Sequence, residues 1–533
     1  MGEAQFQLAT IDYVIVGVYF AAILFHGWWV GRGKEGSKDY FLAGGKLPWY
    51  LIGFSLLASQ MSGSSFVGLM GGTYAEGMTM FNYEWTAVIV LLFFAVFMLP
   101  TFLKAGLYTI PGYLENRYNV NARRGFSVFT ILAIMFIDSA GALFAGGLVI
   151  TSVIPVDLWQ AIAVLALVAG VYTIMGGLSA VVVTDTVQAI LLMLGAGLIF
   201  IIGIQEVGGW GELFNTLPDE KTRLYQPAND DFLPWPGMLG VILLGFYYWT
   251  LNQFVVQRTL GAKSLDEGRK GAVLAGGLKL LSLFLMIIPG LIAFQLYPNL
   301  ESPDLAFPSL AFDLLPIGLR GLIMTALIAA LMSSLDSALN AAGTLVTMDF
   351  VKPMKPNLSD KKLTGIGRIV TGIAMVVAAI YAPMIAGFES LFEYFQSALA
   401  YVAPSIVAVF LIGMFWRGAT GPGALAGIGA GIVIGVPLFI LKEVTDIWTG
   451  AGLPEIHFTY MAVVMFLVGA AMLAVFALFT DPPEAERLDK ATINWQNIKD
   501  NLSSDGKPFY SDFRLWSLVL LVLTAILVGW FWL

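Results

Sequence analysis

The chain has 533 residues, 58% hydrophobic and 12% charged. A soluble domain carries roughly 25% charged residues, so this composition argues against a soluble enzyme, a secreted protein or a disordered protein. With no Cys and only His26 and His457, disulfides, iron–sulfur clusters, thiol nucleophiles and His-rich metal sites are not expected. The net charge of −8 argues against a nucleic-acid partner.

In chain order, apolar stretches run at 11–30, 48–72, 81–103, 125–153, 158–175, 183–205, 236–257, 271–296, 318–347, 365–385, 388–416, 422–441, 458–480 and 512–532. Most are near the ~20 residues that a membrane-crossing helix needs. They predict an all-α polytopic membrane protein, set in lipid, with about fourteen crossings, spans 1 to 14. The first does not read as a signal peptide, because no basic segment precedes it and no small-residue cleavage site follows.

Alternate loops hold the basic residues: 23 of the 28 Lys and Arg fall in 31–47, 104–124, 258–270, 348–368, at Arg417 and in 481–514. Basic loops stay cytoplasmic. Both termini are therefore expected outside, in agreement with an even number of spans. The bacterial inner (plasma) membrane is the expected location.

Two spans are poorly suited to continuous helix. Span 2 reads SLLASQMSGSSFVGLMGG, with Gln60, Ser62, Ser64 and Ser65 in its middle. Span 7 reads GFYYWTLNQFVVQRTL, with Asn252, Gln253 and Gln257 in an aromatic setting. Polar groups at membrane depth need partners within the protein or a cavity. The two spans open successive groups of five, spans 2–6 and 7–11. Paired interrupted segments point to an inverted-repeat transporter with its solute near the midplane. Close packing of Gly and Ser is the plainer explanation of the same residues.

Ionisable groups at membrane depth cost at least ~2.5–3.5 kcal/mol each at a helix centre. The candidates are Glu84, Asp138, Asp185, Lys279, Asp336, Glu389 and Glu393. Asp185 sits at the start of its span, and Glu389 and Glu393 sit near an outer helix start, where water also serves them. Asp336 lies beside Ser333, Ser334 and Ser337 within little more than one turn. Hydroxyls, a carboxylate and free carbonyls are hard oxygen ligands that suit a cation without d-electron preferences. Serine hydroxyls also bond back to their own helix without further consequence.

The segments DYFLAGGKLPWYLIGFSLLAS (39–59), YTIPGYLENRY (108–118), YTIMGGLSAVVVTDTVQ (172–188), NQFVVQRTLGAKS (252–264) and MSSLDSALNAAGTLVTMD (332–349) resemble the sodium/solute symporter family. Within it they are most similar to bacterial sodium/sugar cotransporters. The resemblance runs from about residue 11 to 420. It implies a leucine-transporter-like fold of two inverted five-helix repeats, 48–205 and 236–416. Helix 11–30 and the C-terminal helices 422–533 would be peripheral.

The resemblance further implies a sodium site formed by the carbonyls of Ala58, Met61 and Ala330 and the hydroxyls of Ser333 and Ser334. Asp185 and Asp336 become candidates for a second sodium ion or for coupling. Glu84, Lys279 and Gln396 match positions that hydrogen-bond sugar hydroxyls, and Asn252 matches a polar residue of span 7. Tyr248, Tyr83, Phe392 and Leu69 match gate positions. Several solute-pocket positions depart from the family pattern, so Ser65, Gln60 and Asp138 would contact the solute in place of the usual groups. Ser65 stands where an amide or His is usual, Gln60 replaces an Asn, Gly245 an Asn, Ala87 a Ser, and Asp138 a neutral polar residue. The expectation is a sodium-coupled symporter for a sugar or polyol, not an enzyme, and a monomer or weak oligomer. A proton-coupled transporter of the same fold remains open. So does a membrane subunit of an ion-pumping complex, although Lys279 is the one mid-span lysine.

Overall fold

The computed structural model describes residues 9–30, 47–60, 62–107, 110–176, 178–445, 447–493, 495–502 and 508–532. Helix occupies every one of the fourteen apolar stretches. In hydrocarbon no water serves the backbone, so each segment must satisfy its own N–H and C=O groups. Among the described residues, nine helical runs are long and apolar enough to cross on their own. Shorter apolar helices occupy spans 1, 5 and 7, and span 6 bends by 73° at its end into Trp210–Thr216.

The apolar surface is divided between core and lipid. Phe66, Phe81, Phe307 and Phe410 are fully buried. Leu167, Ile380, Val433 and Ile526 stand exposed on spans 5, 10, 12 and 14, where hydrocarbon replaces water as solvent. Five core spans carry a wide π turn, at Phe94–Met98, Ile134–Ser139, Tyr247–Leu251, Leu283–Ile287 and Val346–Val351. Such turns free local carbonyls and re-aim side chains.

Charged residues fasten the bundle at its ends. Arg117, fully buried, donates from Nε to Gly413 O (2.7 Å), from Nη1 to Ala419 O (3.1 Å) and from Nη2 to Trp416 O (2.8 Å). These are carbonyls at and just past the end of helix Leu391–Phe415, where a cation also suits the helix dipole. Asp12 accepts from Gly318 N at 2.7 Å and pairs with Arg320 Nε at 3.2 Å, tying span 1 to the start of span 9.

Candidate functional site

The polar middle of span 2 breaks the helix. Helix Trp49–Gln60 ends and helix Gly63–Glu76 begins after it. Ser62 between them is extended (φ −73°, ψ 160°), and its Oγ accepts from Ser65 N at 3.3 Å. Ser64 and Ser65 hydroxyls lie 3.0 Å from the same oxygen. A helix end leaves carbonyls of its last turn and N–H groups of the next first turn without intrahelical partners, which makes the break a polar site inside an apolar span.

The break presses on span 9. A methyl group added at Gly63 would come within 2.5 Å of Leu331 Cγ and 2.8 Å of Leu327 O. Helix Leu319–Leu345 continues there into Ser333, which is buried, and Ser334, which is half-buried. Ser334 Oγ donates to Ala330 O at 3.0 Å. Its oxygen lone pairs are still available to a cation. Met61 and the side chains of Gln60 and Asp185 lie outside the described residues, as does the side chain of Ala58. Asp336 is buried on span 9 one turn from Ser333.

Span 7 breaks as well. Helix Met238–Phe246 passes through the π turn to Asn252, extended at φ −67°, ψ 117°, and helix resumes at Gln253–Leu260. Gln253 Oε1 accepts from Ile110 N at 2.7 Å, securing the inner half of the break to the neighbouring loop. Asn252 and Tyr248 are half-exposed.

Between these breaks lies a buried ion pair. Lys279 Nζ is 2.6 Å from Glu84 Oε2, with both side chains under a tenth exposed. Lys279 Nζ also sits 5.3 Å from the Trp249 ring centre, a cation–π contact. The pair is electrically neutral and offers both acceptor and donor groups. Gln396 is half-buried on span 11, and Ser65 faces Ser62 rather than the pair.

The residues expected at the outer gate pack together. Tyr83 and Phe392 meet edge-to-face at 4.8 Å, and Phe232 from the outer loop lies 6.3 Å from Tyr83. Phe232 in turn contacts Phe458 at 6.2 Å, and Leu69 is buried. Span 2 turns sharply beneath this lid at Gly77. Its φ is +75°, and a Cβ there would fall 2.5 Å from Lys221 O, so glycine is required by both conformation and space.

Sequence reasoning missed three contributors. Trp249 was marked only by its aromatic neighbours. Arg117 read as a loop cation. Asp304 lies in the connection between spans 8 and 9, yet it is buried, and its Oδ2 accepts from Leu391 N at 2.8 Å beside Phe392.

The sequence profile of the sodium:solute symporter family matches residues 40–431. The chain belongs to that family. This symporter is 36% identical over 465 residues to the sodium/glucose cotransporter of Vibrio parahaemolyticus, covering 81% of this chain and 86% of the relative. It is 32% identical to the human sodium/myo-inositol cotransporter 2, over 90% of this chain and 78% of that one. Its fold resembles the outward-open structure of a Na+-coupled sialic acid symporter, at a TM-score of 0.73 and 23% identity, over 89% of this chain and 99% of the other. The symporter is therefore an all-helical membrane transporter with the leucine-transporter-like architecture, and not an enzyme. Sodium is the family's coupling ion.

Proposed function

We propose that this symporter uses sodium to import a sugar or polyol by alternating access. The observation that carries the reading is the break at Ser62, held against span 9 just before Ser333 and Ser334. The ion would be bound by the carbonyls of Ala58, Met61 and Ala330 and the hydroxyls of Ser333 and Ser334. Asp185 and Asp336 would take part in a second sodium site or in coupling. Glu84 and Lys279 would share the solute's hydroxyls, accepting and donating from one neutral pair. Gln396, Ser65, Gln60 and Asn252 would add polar contacts. Tyr83, Phe392 and Leu69 would close the pocket from outside and Tyr248 from inside.

Sodium binding from outside would hold the broken span 2 against span 9 and complete the solute pocket. Linkage then requires sodium and solute to tighten each other's binding by the same factor. The membrane potential adds ~2.3 kcal/mol per charge per 100 mV to sodium entry. In this reading the two five-helix repeats are 48–205 and 236–416, with 11–30 and 422–533 peripheral. Fourteen crossings would leave both termini outside a bacterial inner membrane.

The test is uptake of radiolabelled hexoses and inositols into proteoliposomes, with and without an inward sodium gradient. Accumulation that requires sodium is the expected result. Uptake indifferent to sodium would remove the proposal.

A further inference from the structure

Asp138 lies on the π turn Ile134–Ser139 in the middle of span 4. Its side chain is exposed to a water-sized sphere, and Gly141, one turn further on, meets Phe395 of span 11. A side chain exposed on the face that span 11 approaches borders a space between helices. The turn packs against spans 9 and 10, and Tyr394 of span 11 donates to Phe136 O within it. The carboxylate lies within electrostatic reach of Tyr394 and of Tyr247. Tyr247 opens the irregular stretch of span 7 that also supplies Trp249, the ring beneath Lys279. Asp138 and the Glu84–Lys279 pair thus both approach the irregular stretch of span 7.

No hydrogen bond or ion pair reaches the Asp138 carboxylate among the described residues. Three cations of spans 4 and 8 already have partners. Lys279 is held by Glu84, Arg123 by Glu115 and Asp349, and Arg269 by Ala95 O and the Phe513 ring. Water serves the carboxylate while the space is open. When a solute displaces that water, an ionised carboxylate needs a charged or strongly donating partner, or it stays desolvated and unpaired. The protein supplies none, so the partner must arrive with the cargo.

From this we propose that Asp138 is a specificity-determining residue, selecting hydroxyl-rich solutes that carry a protonated amino group. The inference rests on the sugar or polyol reading above and narrows it to amino sugars or amino polyols. A neutral sugar would leave Asp138 with hydroxyl donors only, and an N-acetylated sugar would present an amide of similar shape without charge.

The experiment compares three probes on the full-length symporter in proteoliposomes under a sodium gradient: a 2-amino-2-deoxyhexose, its N-acetyl derivative and the parent hexose. The expected result is sodium-dependent uptake in which the amino sugar half-saturates at a concentration at least about tenfold lower than either neutral probe. In Asp138→Asn that ratio should fall to about one. Sodium-dependent uptake with the parent hexose equal to or better than the amino sugar would overturn this inference and leave symport standing. A pH gradient that drives uptake in sodium-free buffer, lost in Asp138→Asn, would overturn it in favour of a proton carrier. A lowered sodium stoichiometry in Asp138→Asn with the probe ratio unchanged would overturn it in favour of a cation site. Uptake of all three probes without regard to sodium would remove the symport reading itself.

Discussion

Lys279 and Glu84 are joined by a 2.6 Å ion pair in the interior of a chain whose other mid-span residues are almost all apolar. Removing one partner of such a pair leaves an uncompensated buried charge, which costs about 3–5 kcal/mol, whereas replacing both by neutral residues is often close to neutral. Lys279→Met and Glu84→Gln are therefore each expected to lower the melting temperature in detergent. The double variant should recover most of that loss while uptake stays abolished. A double variant that melts as low as the worse single one would show that the pair is not a unit.

Ser334→Ala tests the proposed ion site. The hydroxyl it removes now donates to Ala330 O, so folding should change little, by a hydrogen bond of about 1 kcal/mol. Losing one oxygen ligand should raise the sodium concentration for half-maximal uptake about tenfold, equivalent to about 1.4 kcal/mol. An unchanged sodium activation curve would count against the site.

Asp304 gives a pH-dependent prediction outside the membrane. Burial pushes its carboxyl up to about 7, opposed by the bond from Leu391 N. The folded state thus holds the proton more tightly than the unfolded chain, whose carboxyl titrates near 3.8. Its contribution to stability is complete below that value and is lost as pH rises toward about 7. Asp304→Asn keeps an acceptor for Leu391 N and removes the charge. It should melt above the parent at pH 8.5 and close to it at pH 5.5. Asp304→Ala, which also lacks the acceptor, should lie about 0.5–2 kcal/mol below Asp304→Asn at both, the usual worth of a helix-start acceptor.

Arg117→Ala should be strongly damaging, because three carbonyls around the end of helix Leu391–Phe415 lose their donors together. Bonds from a charged donor contribute about 1.5–3 kcal/mol each. Arg117→Lys keeps the charge without the planar fork and should give a folded protein of intermediate melting temperature. Size-exclusion profiles and thermal melts in detergent distinguish these outcomes.

Much of this architecture is legible in the sequence because lipid imposes a simple rule. Each span must be apolar and long, so exceptions stand out. The run from Gln60 to Ser65 and the residue Asn252 both mark helix ends in the structure for that reason. What stays hidden is pairing across the chain. Glu84 and Lys279 each read as a solute contact, and nothing local in either span says that they meet. Arg117 lies in a basic loop, where its charge signals orientation and masks its role as a cap. Asp304 sits in a polar connection where an acid is unremarked, and only the approach of Leu391 gives it a function.

The five π turns have an evolutionary consequence. Each houses a surplus residue relative to an ordinary helical repeat, so deleting one residue from Phe94–Met98 or Leu283–Ile287 would heal the coil rather than snap it. Side chains beyond the turn would keep their facing, because the wide turn had absorbed the extra residue, and those within it would swing to ordinary helical positions. A lineage could in this way re-aim the few side chains of one turn in a single genetic step, trading one lining of the passage for another without rebuilding the scaffold.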